Sequence, residues 1–106
     1  MVSIQTFKTW SLSFPGTSEE PHFEKTSFRV KKKIFATLDE KTMKAVLKLN
    51  SIDQEILSSL GKTVVYPVPN KWGLQGWTVF ELEKAHPEMV QDALQLAYQC
   101  VLKKQK

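Results

Sequence analysis

A chain of 106 residues with 42% hydrophobic and 25% charged residues and a formal net charge of +4 has the composition of one globular domain, long enough to bury a core and too short to split into two stable halves. It lacks an apolar run long enough to span a membrane, and its N-terminus lacks the basic start and apolar stretch of a secretory signal. The single cysteine, Cys100, excludes an internal disulfide, so the expectation is one domain over residues 1–106 in a reducing compartment, the cytoplasm, with no membrane partner.

In chain order, Ser3 is placed to cap a helix carrying Ile4, Phe7, Trp10, Ser11 and Phe14 at three- and four-residue spacing, closed by Pro15-Gly16. From Glu19 the pattern becomes that of strands, over Glu19–Glu24, Thr26–Val30, Lys33–Leu38 and Met43–Leu49, separated by short polar breaks, an antiparallel meander. A second helix is expected from Ser51, with Ser51 and Gln54 in the spacing of a capping box and Ile52, Ile56, Leu57 and Leu60 as its apolar stripe up to Gly61. Thr63–Tyr66 reads as a short strand, residues 67–76 as a loop and Trp77–Leu82 as the last strand, with Pro67 and Pro69 barring the loop from a central ladder. The last helix begins at His86-Pro87 and runs to about Leu102, burying Val90, Ala93, Leu94, Ala97, Tyr98 and Val101. Glu88 and Asp92 near its start and Lys103, Lys104 and Lys106 at its end complement the helix dipole.

The charge is unevenly distributed. Between Lys25 and Leu49 eight basic residues face only Asp39 and Glu40, a local excess of six positive charges, while the rest of the chain is net negative. Such a segment is how an electrostatic footprint for an anionic partner looks, and also how a solvated lysine face looks.

Taken in order, the stretches Leu12-Ser13-Phe14-Pro15-Gly16-Thr17-Ser18-Glu19-Glu20-Pro21-His22-Phe23, Ser27-Phe28-Arg29-Val30 and Lys33-Ile34-Phe35-Ala36-Thr37-Leu38 resemble the opening of the MmcQ/YjbR family. Tyr66-Pro67-Val68-Pro69, Gly76-Trp77-Thr78-Val79 and Ala97-Tyr98 are similar to its second half. The resemblance implies a two-layer α+β fold of the secretion-chaperone-like, double-wing type, an antiparallel sheet flanked by helices. It also implies the DNA-binding label that such proteins commonly carry, and no catalytic residues. Two positions depart from the family pattern: Lys31-Lys32 at a hairpin tip and Glu24 at a turn, both where glycine is usual.

Metal binding needs three or four converging ligands, and beyond its carboxylates the chain offers only His22, His86 and Cys100, without paired spacing. Cys100 sits among apolar helical neighbours with no basic group to activate it, as a small buried hydrophobe would. Glu20, His22 and Glu24 share a face of an extended segment, an arrangement that serves acid–base work or a surface salt bridge; without a nucleophile nearby it is read as the latter. Glu81 and Glu83 likewise share a wet face.

Strand alternation gives the candidate site. With Phe28, Val30, Ile34, Ala36, Leu38, Met43, Ala45, Leu47 and Leu49 turned to the core, the opposite face carries Ser27, Arg29, Lys33, Phe35, Thr37, Lys44, Val46 and Lys48. The lysines would neutralise phosphates and Phe35 would offer a stacking surface, unless a helix or second subunit covers Phe35 and Val46. The candidate nucleic-acid contacts are thus Arg29, Lys31, Lys32, Lys33, Phe35, Lys44 and Lys48. Lys71 and Trp72, in the loop bounded by proline and glycine, are candidates for a partner contact, Trp72 being either a binding anchor or a lid over the domain's own surface. The expected function is a non-catalytic module without cofactor that binds DNA nonspecifically. The alternative is an interaction module for another protein chain or for itself, as a dimer or peptide holder.

Overall fold

Local chemistry starts and stops each element of the chain, of which the computed structural model describes residues 1–103. Ser3 caps the first helix, α1 (Ile4–Leu12), its hydroxyl accepting from the Thr6 amide at 3.1 Å. Four strands follow: β1 (Thr17–His22), β2 (Lys25–Val30), β3 (Lys33–Asp39) and β4 (Lys44–Lys48). Next come α2 (Ser51–Leu60), β5 (Val65–Pro67), the single turn α3 (Lys71–Leu74), β6 (Trp77–Glu81) and α4 (Pro87–Lys103). Lys104 and Lys106, expected at the negative end of the last helix, lie outside the described residues.

The six strands form one antiparallel sheet in the order β1-β2-β3-β4-β6-β5. α4 packs across β2, β3 and β4, and α1 lies beside it against β1. This inner face holds the core, with Phe7, Phe28, Phe35, Leu38, Leu47, Phe80 and Leu94 fully buried, each such side chain worth about 1.5–3 kcal/mol relative to exposure. Phe14, past the end of α1, stacks on Tyr98 of α4 with ring centroids 4.8 Å apart, and the Tyr98 hydroxyl donates to the Pro15 carbonyl at 2.7 Å. The expected buried stripe of α4 is buried in full. At the free edge, β1 carries Glu19, Glu20 and Pro21, residues that discourage another strand from pairing there.

Apart from element bounds, where the turn at residues 23–24 cuts the expected strand Glu19–Glu24 and α3 stands in the expected loop 67–76, three expectations change. The cap of α2 is Asn50, whose side chain accepts from the Asp53 amide at 2.8 Å. Gln54 does not close a capping box; it reaches across to the Gly73 carbonyl at 2.9 Å and the Thr78 hydroxyl at 3.0 Å. Of the expected α2 stripe only Leu57 is buried; Ile52, Ile56 and Leu60 are exposed.

The third change concerns β3. Arg29 pairs with Ile34 and Phe28 with Ala36, so Phe35 is the extra residue of a β-bulge. The bulge sends Phe35 inward, edge-on to Phe14 at 6.2 Å and to Tyr98 at 5.8 Å. Ile34 therefore turns to the outer face, opposite Arg29, and Lys33 pairs with the buried Val30 and leaves that face.

Candidate functional site

Among the described residues no long helix covers the sheet's outer face. Directly paired residues point the same way, so the register places Ser27, Thr37, Val46, Val79 and Tyr66 in one row across it. Arg29 and Ile34 form part of a second row, Lys48 and Trp77 another part. The face is hollowed into a groove of about 430 Å³ lined by His22, Lys25, Ile34, Thr37, Val46, Val68, Trp72 and Trp77. A smaller depression of about 190 Å³ adjoins it, sharing Lys25, Thr37, Val46 and Val68 and adding Asp39 and Lys44.

One wall is the end of the β1–β2 hairpin. His22 and Lys25 flank a two-residue turn in which Phe23 has a φ of 60° and is 94% exposed. The other wall is α3, which brings up Trp72, half exposed. α3 is held there by the Gln54 bonds, by Asn70 accepting from the Trp72 amide at 2.9 Å, and by two glycines. A Cβ on Gly73 would lie 2.1 Å from the Val68 carbonyl oxygen, and one on Gly76, at φ 106°, 1.9 Å from that of Leu49; no larger residue permits those approaches.

The cations differ in their engagement. Lys44 is 3.6 Å from Glu81, which also accepts a short hydrogen bond from the Tyr66 hydroxyl. That hydroxyl is pushed up to about 12, chiefly by bonding to Glu81, and the Glu81 carboxyl is held below its ordinary value, chiefly by the same bond. Lys48 lies over the Trp77 ring, 5.5 Å from its centroid, and donates to the Gln75 carbonyl. Arg29 donates to the Ser27 hydroxyl at 3.0 Å, which in turn donates to the Glu20 carbonyl at 2.8 Å. Lys31, Lys32 and Lys33 are all exposed and stand together at the β2–β3 hairpin tip, with none in an ion pair among the described residues. Lys31 and Lys32 have φ of 51° and 70°, the pair of left-handed conformations of a type I′ turn.

Of the residues expected to form one site, Arg29, Lys44 and Lys48 share the outer face, Lys31–Lys33 form a separate basic tip, and Phe35 is in the core. Lys71 is exposed in the first turn of α3 beside Trp72. Trp77, at the start of the last strand, lines the groove. The sequence did not point to Ile34 or Phe23 as surface features, and Lys25 was counted in the basic segment but not among the candidate contacts. Phe23 was hidden by its place in the expected strand Glu19–Glu24, whereas the turn falls at Phe23 and Glu24. Glu20 and His22 share the outer face, but Glu24 sits in the turn, so the three do not form a cluster. Cys100 is half-buried. Among the described residues no three His, Cys, Asp or Glu gather as a metal site requires, and no helix is long and apolar enough to cross a membrane.

Comparisons with known proteins agree with this architecture. The family model YjbR matches residues 12–100. The crystal structure of Deinococcus radiodurans protein DR2400, with the family-model domain DUF419, is similar with a TM-score of 0.85 at 23% identity, over 98% of this chain and 81% of that one; at that identity the likeness concerns the fold. No curated protein matches the chain.

Proposed function

The chain belongs to the YjbR family, and from that premise we propose that it is a non-catalytic module that binds nucleic acid, with the β2–β3 hairpin tip and the adjoining outer face as its contact surface. One observation carries the reading. Three consecutive exposed lysines occupy a tight turn whose first two residues are held in the left-handed region, where Asn-Gly would sit with less strain. Three charges so placed repel one another, a repulsion that an anionic partner would offset. Arg29 and Lys25 extend the positive surface; Lys44, paired with Glu81, adds less than its formal charge.

The test is fluorescence anisotropy with labelled DNA over a salt series, comparing the wild type with Lys31→Gln/Lys32→Gln/Lys33→Gln. Glutamine keeps a polar side chain of similar reach and removes the charge. The expected result is weaker binding to every sequence and a salt slope reduced by about one for each phosphate no longer neutralised. Absence of binding at low salt, or an unchanged slope in the folded variant, overturns the reading.

A specific observation favours a second reading, an interaction surface for protein. Ile52, Ile56 and Leu60 form an exposed stripe on α2 at four-residue spacing, and Leu74, also exposed, lines a groove of about 610 Å³ between α2 and β5. Sedimentation of the wild type and of Ile56→Glu decides it, a change of assembly state being the expected result.

A further inference from the structure

Resting on the nucleic-acid reading above, we infer that the outer-face groove is a base-binding site that takes unpaired bases of single-stranded nucleic acid, stacked on Trp72, while Lys25 and Arg29 hold the backbone. The first ground is shape. The hollow of about 430 Å³ is walled on one side by the β1–β2 hairpin and on the other by α3, and its volume falls within the ~300–1,000 Å³ of ligand pockets. A duplex keeps its bases stacked and offers such a recess no free base face, whereas a single strand can turn a base into it.

The second ground is lining chemistry. The floor is Ile34, Val46 and Val68, the aromatic surfaces are Trp72, Trp77 and His22, and the rim cation is Lys25; none of the eight lining residues is a carboxylate. Apolar floor, flat rings and a cation on the rim complement a nucleobase with its phosphate. Trp72 is half exposed although it stands beside apolar neighbours, so a large part of its ring is open to stacking. Trp77 already has the Lys48 ammonium over its ring and serves as wall.

The third ground is independent of the pocket. Phe23 stands on the turn between His22 and Lys25, 94% exposed and in the left-handed region. An aromatic side chain in that conformation is strained and contributes nothing to the core, the pairing that marks a contact residue. Its ring lies edge-on to that of His22, which lines the groove, with centroids 4.9 Å apart.

The experiment compares a fluorescein-labelled 12-mer of thymidylate with a labelled 12-base-pair duplex, using wild type, Trp72→Ala, Trp72→Phe and Phe23→Ser. The expected result is tighter binding of the single strand than of the duplex. Trp72→Ala should weaken single-strand binding by about 5- to 150-fold, the effect of one stacked base, and leave duplex binding unchanged. Trp72→Phe, which keeps a ring, should recover most of the loss. Phe23→Ser, a change at an exposed turn, keeps the test open if Trp72→Ala does not fold, and should also weaken the single strand selectively. Equal binding of both forms, with no selective loss in the folded variants, overturns the inference and leaves the nucleic-acid reading standing. No binding of either form at low salt overturns both.

Discussion

The β2–β3 turn can be made more stable by removing the lysines that define it. Lys31 and Lys32 both occupy left-handed backbone, which costs an L-residue with a Cβ about 1–2 kcal/mol at each position. Lys31→Asn with Lys32→Gly supplies the favoured type I′ pair. Glycine releases its strain entirely but gives back ~0.5–1 kcal/mol through the freer unfolded chain, and asparagine releases only part of its own. A net gain of about 1–2 kcal/mol remains, which for a domain of this size raises Tm by roughly 4–8 °C for each kcal/mol. Urea unfolding followed by circular dichroism measures it, the midpoint rising with the slope unchanged. Lys31→Ala/Lys32→Ala is the control: it removes the same charge but keeps a Cβ at both positions, so it should gain only the few tenths of a kcal/mol expected from relieved surface repulsion. An Asn-Gly variant no more stable than wild type, or an Ala-Ala variant equally stabilised, would refute the backbone argument.

Gly76→Ala should destabilise by about 3 kcal/mol or more, since the new Cβ meets the Leu49 carbonyl at 1.9 Å in a left-handed backbone; a fall in urea midpoint equivalent to less than about 1 kcal/mol would contradict the close approach. Gln54→Leu removes the donor to the Gly73 carbonyl and the Thr78 hydroxyl and should cost ~1–3 kcal/mol, with amide exchange rising in α3 but not in α4. Because Tyr66 is pushed up to about 12 by its bond to Glu81, its neutral form stabilises the fold below the ordinary tyrosine value of about 10. As pH rises from there toward 12 the unfolded chain ionises first and that stability is lost. Tyr66→Phe should lack this component in pH-dependent melts, and an identical alkaline limb in both proteins would count against the bond.

Where the sequence carried several agreeing signals, the fold was legible. α4 has proline at its first position and a stripe at regular spacing, and every residue of that stripe is buried. The hairpins and the antiparallel class followed from alternation between polar breaks. The bulge was not legible, because Ile34 and Phe35 are both apolar and either could face inward. With the bulge missed, the face of every residue from Lys33 to Phe35 was misassigned, and Phe35 became a surface candidate. The cap of α2 was misread because Asn50 and Ser51 are adjacent capping residues, and Gln54, three beyond Ser51, imitates a capping box while bonding to residues nineteen and twenty-four further along. α3 was invisible for a different reason: a single turn containing glycine has no periodicity, so the tryptophan it presents could be flagged but not placed. The groove joins residues from His22 to Trp77, and only the strand register brings them together.

The bulge at Phe35 also bears on how this chain is compared with its relatives. Along β3 the inward positions are Phe35, Ala36 and Leu38, while Ile34 and Thr37 line the groove. Tolerance to polar substitution therefore does not keep a period of two along the strand. A relative lacking the bulge would have one residue fewer between the hairpin tip and the core. Aligned through this strand without a gap, such a sequence would match its groove residue to Phe35, and a variable surface position would be mistaken for a substitution in the core. A one-residue offset within β3 is thus the first thing to allow before reading conservation in this family as a map of binding.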